Sequence, residues 1–350
     1  MIRERFMIQS NDLKARYDAL LQDEPKMRIR NAAQQLGVSE MELVAAQCGD
    51  IEAILLEGTP QTIFKELQTL GEVMLLTRNE WCVHERHGRY ESVKVGNGPV
   101  GLVLGADIDL RVFFSSWKYT WAVTQNGRKS VQFFDKAGMA LHKVYCTDKS
   151  DMAAYDALIE KFRAVAQEPA PVDNTPAEPK TYASEVPESL RKDWLAMTDT
   201  HDFAGLLKKW NLPRLQVLEN AGQDLAQRVD NEAIEVMLNK AAQTDLAIMC
   251  FVGNKGIIQI HSGPIKKLMR TGPWFNILDP KFNLHLNTTA IHSTWIVNKP
   301  TEDGWVTSLE GFTQDGEQIV QFFGARKPGV PEIRQWRELL ESLCKQPLAA

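Results

Sequence analysis

The sequence predicts an α+β protein made by tandem structural duplication, each half a large antiparallel sheet with flanking helices, the two joined by a Pro-rich linker. Two observations carry this expectation. The first is AVAQEPAPVDNTPAEPKTYASEVPES at 164–189, where five prolines sit among alanines and acids and no helical or strand periodicity survives. The second is an order of segments that occurs once on each side of that stretch. The expected domains are therefore an N-terminal repeat over 1–163, a linker over 164–189 and a C-terminal repeat over 190–350.

In the first half the order is GP (98–99), IDLRVFF (108–114), TWAV (120–123), SVQFFDKAG (130–138), KVYCTDK (143–149) and a closing helix, DMAAYDALIEKF. The second half answers with GP (263–264), FNLHLNT (282–288), TWIV (294–297), SLEGFTQDG (308–316), QFFGARK (321–327) and PEIRQWRELLESL. Thr120 to Thr294 is an offset of 174 and Ser130 to Ser308 one of 178, so four residues are inserted, by this reading in a loop, NKPTEDGW. The segments alternate apolar and polar residues and are rich in Val, Ile, Phe and Trp, the pattern of half-buried antiparallel strands. A helical stretch opens each half: RIRNAAQQLGVSEMELVAAQ in one, FAGLLKKWNLPRLQVLEN in the other.

A net charge of −5 over 350 residues argues against a surface built to coat nucleic acid or an anionic membrane. The five cysteines are scattered and none forms a C-x-x-C pair, which reads as free thiols in a reducing compartment. The N-terminal MIRERFMIQSNDLKARYDALL lacks the apolar core of a signal peptide, and no apolar run reaches membrane-spanning length. A cytoplasmic protein is expected.

Most motif matches have a plain structural reading. GNGPVG (96–101) fits the dinucleotide pattern G-x-G-x-x-G, but the residues after it have the pattern of a strand, so a turn is expected and no pyrophosphate site. Residues 28–47 resemble a helix-turn-helix, yet the second helix, SEMELVAAQ, carries Glu40 and Glu42 and no basic residue, a poor face for phosphates. DNA binding there is a minor alternative. His84 and His87 fall on opposite faces of a hairpin strand, and His261, His285 and His292 match no metal-ligand spacing.

What remains is MTDTHDF (197–203). Asp199 and Thr200 are helix-start residues ahead of an apolar stripe (Phe203, Leu206, Leu207, Trp210), which puts His201 in the first turn, where its ring can leave the helix. Four cations stand in unusual places: Arg111 within IDLRVFF, Arg214 in NLPRLQ, Lys299 in NKP and Arg326 in FFGARKPG. Together with aromatic strands they suggest an apolar slot rimmed by positive charge, suited to a flat apolar ligand bearing carboxylates.

MTDTHDF, the two TW strands, IDLRVFF, and SVQFFDKAG with its echo SLEGFTQDG and FFGARKPG resemble the HemS/HmuS/ChuS/PhuS family of bacterial cytoplasmic haem-handling proteins over nearly the whole chain, duplication and linker included. The resemblance implies haem as ligand or substrate, with His201 as the proximal iron ligand. It makes Arg111 the distal arginine, able to hold an oxygen ligand by charge-assisted hydrogen bonds. Arg214, Lys299, Gln321 and Arg326 match the family's propionate-side and pocket residues, with Phe323 packing nearby where the family often has tyrosine. The repeat counterpart of Arg111 is His285, so one haem site is expected.

Two functions from different classes share such a pocket. One is oxidative haem cleavage that frees iron, with His201 on the iron, Arg111 over the oxygen and an external reductase as electron donor. The other is a carrier that takes haem from an ABC importer on the cytoplasmic side and hands it to a separate haem oxygenase. Membrane insertion belongs to neither.

Overall fold

The computed structural model describes residues 2–169, 171–175, 182–327 and 329–350, the first seven of these by backbone only. Of the predicted linker, residues 170 and 176–181 lie outside the described residues. The first half runs α1 (Ile2–Asp23), α2 (Ile29–Leu36), α3 (Glu40–Ala45), β1 (Glu52–Leu56), α4 (Pro60–Glu66), β2 (Gly71–Arg78), β3 (Cys82–Arg89), β4 (Val93–Val95), β5 (Val100–Leu104), β6 (Asp109–Phe113), β7 (Tyr119–Gln125), β8 (Arg128–Phe134), β9 (Ala140–Ser150) and α5 (Met152–Phe162). The second runs α6 (Leu190–Leu195), α7 (Asp202–Trp210), α8 (Arg214–Asn220), β10 (Ala226–Val229), α9 (Ala233–Thr244), β11 (Ile248–Asn254), β12 (Ile257–Gly263), β13 (Leu268–Thr271), β14 (Trp274–Leu278), β15 (Phe282–Asn287), β16 (Ser293–Thr301), β17 (Gly304–Phe312), β18 (Gln318–Gly324) and α10 (Arg334–Glu341). From α2 and from α7 onward the two orders are the same, so the chain is a duplicated α+β unit.

The strands form two antiparallel sheets of nine, ordered β1-β7-β8-β9-β2-β3-β15-β14-β13 and β10-β16-β17-β18-β11-β12-β6-β5-β4. The chain divides into two compact units. Unit 1 comprises Met1–Thr77, Glu85–Pro176 and Asn254–Gln259; unit 2 comprises Arg78–His84, Ala177–Gly253 and Ile260–Ala350. Each unit therefore takes one short segment from the other half of the sequence. In unit 1 that segment is held by the Gly256 carbonyl, which accepts from Phe113 N–H (2.8 Å) and Trp117 Nε1 (2.8 Å). A Cβ at Gly256 would stand 2.9 Å from Trp117 Nε1 and 2.7 Å from Leu141, so glycine is required there.

Each unit buries its own core. In unit 1, Phe64, Leu75, Val131, Phe133, Val144 and Tyr155 are among its members. In unit 2 one cluster contains Ile234, Met237, Leu309, Phe322 and Trp336, and a second contains Trp194, Phe203, Trp210, Leu218 and Phe312. In both halves the two opening helices meet at a residue in the left-handed conformation, Gly37 (φ 69°) and Asn211 (φ 51°), which ends the first helix.

Two readings of the sequence change. The counterpart of Gly98–Pro99 is Gly272–Pro273, not Gly263–Pro264: Pro99 and Pro273 each precede a hairpin's second strand, and their carbonyls accept from Phe114 N–H (2.7 Å) and Thr288 N–H (3.1 Å). The four-residue insertion lies in strands, not in a loop. β16 and β17 are paired out to Thr301 and Gly304, two rungs beyond the Gln125–Arg128 end of β7–β8. In keeping with the sequence, α3 packs inward and offers no recognition face: Glu40, Met41, Leu43, Val44 and Ala45 are buried, and Glu40 is ion-paired with the buried Lys143. GNGPVG does form the β4–β5 turn. No helix among the described residues is long and apolar enough to cross a membrane.

Candidate functional site

The residues singled out above fall in both units. Arg111 lies in unit 1, on β6, and the other six in unit 2.

His201 stands one residue before α7, at its N-cap position, rather than in its first turn. It does not cap the helix. The Asp202 carboxylate reaches back instead to the turn before the helix, accepting from Thr198 N–H and Asp199 N–H, both at 3.0 Å. Asp199 in turn accepts from His201 N–H (2.8 Å) and meets His201 Nδ1 at 2.6 Å. The His201 backbone N–H, with the ring and the charge of Arg326 adding, holds the Asp199 carboxyl below its ordinary range against partial burial. A carboxylate on Nδ1 fixes the proton there, so Nε2 carries the lone pair. The His201 side chain is 76% exposed.

Two residues on, Phe203 is buried, and two cations lie over its ring: Arg214 Cζ at 4.8 Å and Lys299 Nζ at 4.4 Å from the centroid. Both belong to a cluster around Glu310, which is fully buried in β17. Arg214 donates to it through Nε (2.8 Å) and Nη2 (2.7 Å), Gln321 and Gln318 through their amides (2.7 and 2.9 Å), and Ser308 through its hydroxyl (2.7 Å). Lys299 Nζ is 3.9 Å away. Burial alone would raise the Glu310 carboxyl, but Arg214, Lys299 and these hydrogen bonds outweigh it and hold it down at about 2. Burial, helped by the like charge of Arg214 and opposed by Glu310, pushes the Lys299 ammonium down to about 7.

Arg326 follows β18 and donates through Nη2 to Asp303 (3.2 Å) and through Nε to the Val330 carbonyl (3.3 Å). Phe323 on β18 meets Phe251 edge-on, centroids 5.2 Å apart. Arg111 pairs with Asp109 through Nη1, which also reaches the Leu110 carbonyl at 3.2 Å. Burial raises the Asp109 carboxyl, opposed by that arginine. Its repeat counterpart His285 meets Asn276 Oδ1 through Nδ1 at 2.7 Å.

The structure thus gathers Arg214, Lys299 and Gln321 on one buried acid and keeps His201, Arg326 and Phe323 as separate arrangements of the same unit. Glu310 is the residue that sequence reasoning missed. Its signal was a lone acid inside the apolar strand SLEGF, at the position where the first half has Gln132.

The chain matches a known family. The family model described as the haemin-degrading HemS.ChuX domain matches residues 37–162 and again 211–343, one segment in each half, and the chain belongs to this family. It is 40% identical to hemin transport protein HemS of Yersinia enterocolitica over 96% of this chain and 99% of that one. Among solved structures it is similar to holo-PhuS, a heme-binding protein from Pseudomonas aeruginosa, with 44% identity and a TM-score of 0.92 over 95% of this chain and 99% of that one. It is also similar to ChuS, described as an E. coli heme oxygenase, with 36% identity and a TM-score of 0.85 over 95% of this chain and 99% of that one.

Proposed function

We propose that this chain binds haem with His201 as the axial iron ligand and cleaves it oxidatively to release iron, with an external electron donor. The observation that carries the reading is the Asp199–His201 pair: an exposed imidazole whose Nδ1 is held by a carboxylate presents Nε2 as a metal donor. The donor set fits haem in a second respect. Arg214 and Lys299 outnumber Glu310, so the cluster beside Phe203 carries an excess of positive charge whenever Lys299 is protonated, which suits a ligand with carboxylates.

Within this reading Arg214 and Arg326, with side chains 20% and 15% exposed, face the propionates. Lys299 and Gln321 hold Glu310 and through it the Arg214 fork, and Phe323 supplies apolar wall. Arg111, held through Nη1 by Asp109, is given the distal role, its remaining N–H groups donating to an oxygen ligand. Haem is the substrate and brings its own redox chemistry; the protein binds, orients and donates hydrogen bonds. The partners are an importer delivering haem on the cytoplasmic side and a reductase.

Carriage to a separate haem oxygenase is the second reading. It is favoured by the description of the 44%-identical relative as a heme-binding protein and of the Yersinia relative as a transport protein. One experiment divides the two: titrate the purified chain with hemin, then add ascorbate in air with catalase present. Loss of the Soret band with iron release means degradation; stable bound haem means carriage, and absence of saturable binding rejects both. His201→Ala is expected to weaken binding and change the ligand-field bands. Arg111→Ala is expected to leave ferric haem bound and slow its loss, and undiminished turnover would remove the role given to Arg111.

A further inference from the structure

The β16–β17 hairpin is two rungs longer than its sister β7–β8, and the added tip touches the segment that carries His201. Glu302 N–H donates to the Thr198 carbonyl at 2.9 Å. Asp303 accepts from Arg326 Nη2 (3.2 Å) and from Gly329 N–H (2.9 Å), tying the chain after β18 to the same tip. Trp305, just past the turn, packs on the cluster of Phe203 and Trp210, the buried face of α7. From Thr198 to Asp202 the segment is closed by its own hydrogen bonds to the Asp199 and Asp202 carboxylates, so whatever holds Thr198 also holds the imidazole three residues on.

The sister half is the control that the fold itself provides. There the tip is Asn126–Gly127, Asn126 N–H donates to Asp50 (2.6 Å), and the residue 174 positions before His201 is Met27. The long hairpin and the histidine occur in the same half.

We infer that the hairpin extension is a docking post for the His201 segment, with the Glu302 amide and the Asp303 carboxylate as positioning groups that set where the imidazole stands. The role in binding rests on His201 being the iron ligand; the docking itself does not. Glu302 opens the turn with a negative φ and follows an extended residue, so proline fits the backbone there and deletes the N–H donor together with the Glu302 side chain.

The test compares Glu302→Pro, Asp303→Ala and Asp303→Asn in the full chain. In the hemin-free protein, amide exchange at Thr198, Asp199 and His201 is expected to rise about tenfold in the first two variants, while Ile296 and Leu309 in the body of the hairpin keep wild-type protection. Asp303→Asn, which still accepts from Gly329 N–H, is expected to restore most of the protection. Hemin affinity is expected to fall about tenfold in the same two variants with the histidine-ligated spectrum kept at saturation. A shorter hairpin, Pro300–Trp305 replaced by Asn-Gly as in the sister turn, should reproduce the loss. Unchanged exchange at 198–201, or an equal rise across the hairpin, overturns the inference. If His201→Ala binds hemin as well as wild type, the ligand reading fails, and the exchange result still decides the docking.

Discussion

The two halves bury a charge cluster at the same place in the fold and wire it differently. In the first, Glu40 on α3 pairs with Lys143 on β9, and Gln132 on β8 stands opposite Lys143 in the ladder. In the second, Arg214 on α8 pairs with Glu310 on β17, and Gln321 on β18 stands opposite Glu310. Glu40 answers to Arg214, Gln132 to Glu310 and Lys143 to Gln321, so every position has changed its charge while the helix-to-sheet bridge survives. The fold needs the bridge and not a particular sign at either end. Among the described residues, the second half adds a further cation, Lys299, and there the cluster reaches an aromatic ring beside an exposed histidine.

The comparison breaks hardest at Glu310. Glu310→Ala leaves Arg214 and Lys299 facing each other in a buried site and is expected to cost about 3–5 kcal/mol in urea unfolding. Replacing Glu40 and Lys143 together by apolar residues of similar size removes both charges and is expected to be within about 1 kcal/mol of neutral. A cost for the double replacement as large as for Glu310→Ala would mean that the first-half pair does more than bridge.

A pH profile sharpens the same contrast. The folded-state Lys299 ammonium sits at about 7 against an ordinary 10.5, so between those values the unfolded chain holds a proton that the folded chain lacks. The Lys299 contribution to stability should rise with pH across that window, by about 1–3 kcal/mol once the coupling to Glu310 is allowed for. It is read as the wild-type profile minus that of Lys299→Met, because the buried thiols of Cys82 and Cys250, pushed up by burial, act in the opposite sense above their ordinary range. Glu310, held low, has the same sign in an acid window: its contribution is full above the ordinary carboxyl range and is lost as pH falls towards 2. No difference between the two profiles from pH 7 to 10 would assign the effect elsewhere.

The smallest difference is between the helix ends. Gly37 and Asn211 hold the same left-handed position, and a Cβ at Gly37 would meet nothing within 4 Å. Gly37→Ala is therefore a pure backbone cost, expected near 1 kcal/mol, and Asn211→Gly should gain a few tenths of a kcal/mol. Thermal melts of the two variants check both signs.

Much of this was readable in the residues because the repeat supplied its own check. The misplaced Gly-Pro pair shows how the check works: 98 to 263 is an offset of 165, out of step with the 174 that Pro99 to Pro273 and Thr120 to Thr294 share. In sequence the hairpin extension reads as a loop, since Pro300 and Asp303–Gly304 are residues of turns and loops. Pro300 is tolerated because β10 pairs with β16 only from Thr294 to Val297, so beyond that point the missing N–H has no neighbouring strand to serve. The order β10, α9, β11, β12 went unread because nothing in it echoes the first half word for word. Glu310 escaped for a different reason: an acid in a strand becomes tolerable through partners from α8, β16 and β18, and that pairing is a property of the packed molecule.

Unit 1 has a consequence for how the chain is made. Its last piece, Asn254–Gln259, leaves the ribosome about eighty residues after Pro176, where the rest of the unit is already out. Until then Phe113 N–H and Trp117 Nε1 lack the Gly256 carbonyl, and Leu75 C=O lacks the Gln259 amide. The half that is synthesised first is thus finished late. A nascent chain stalled near residue 240 should be more open to proteases around Trp117 than one released past residue 260, and that interval is when a chaperone would have the most to hold.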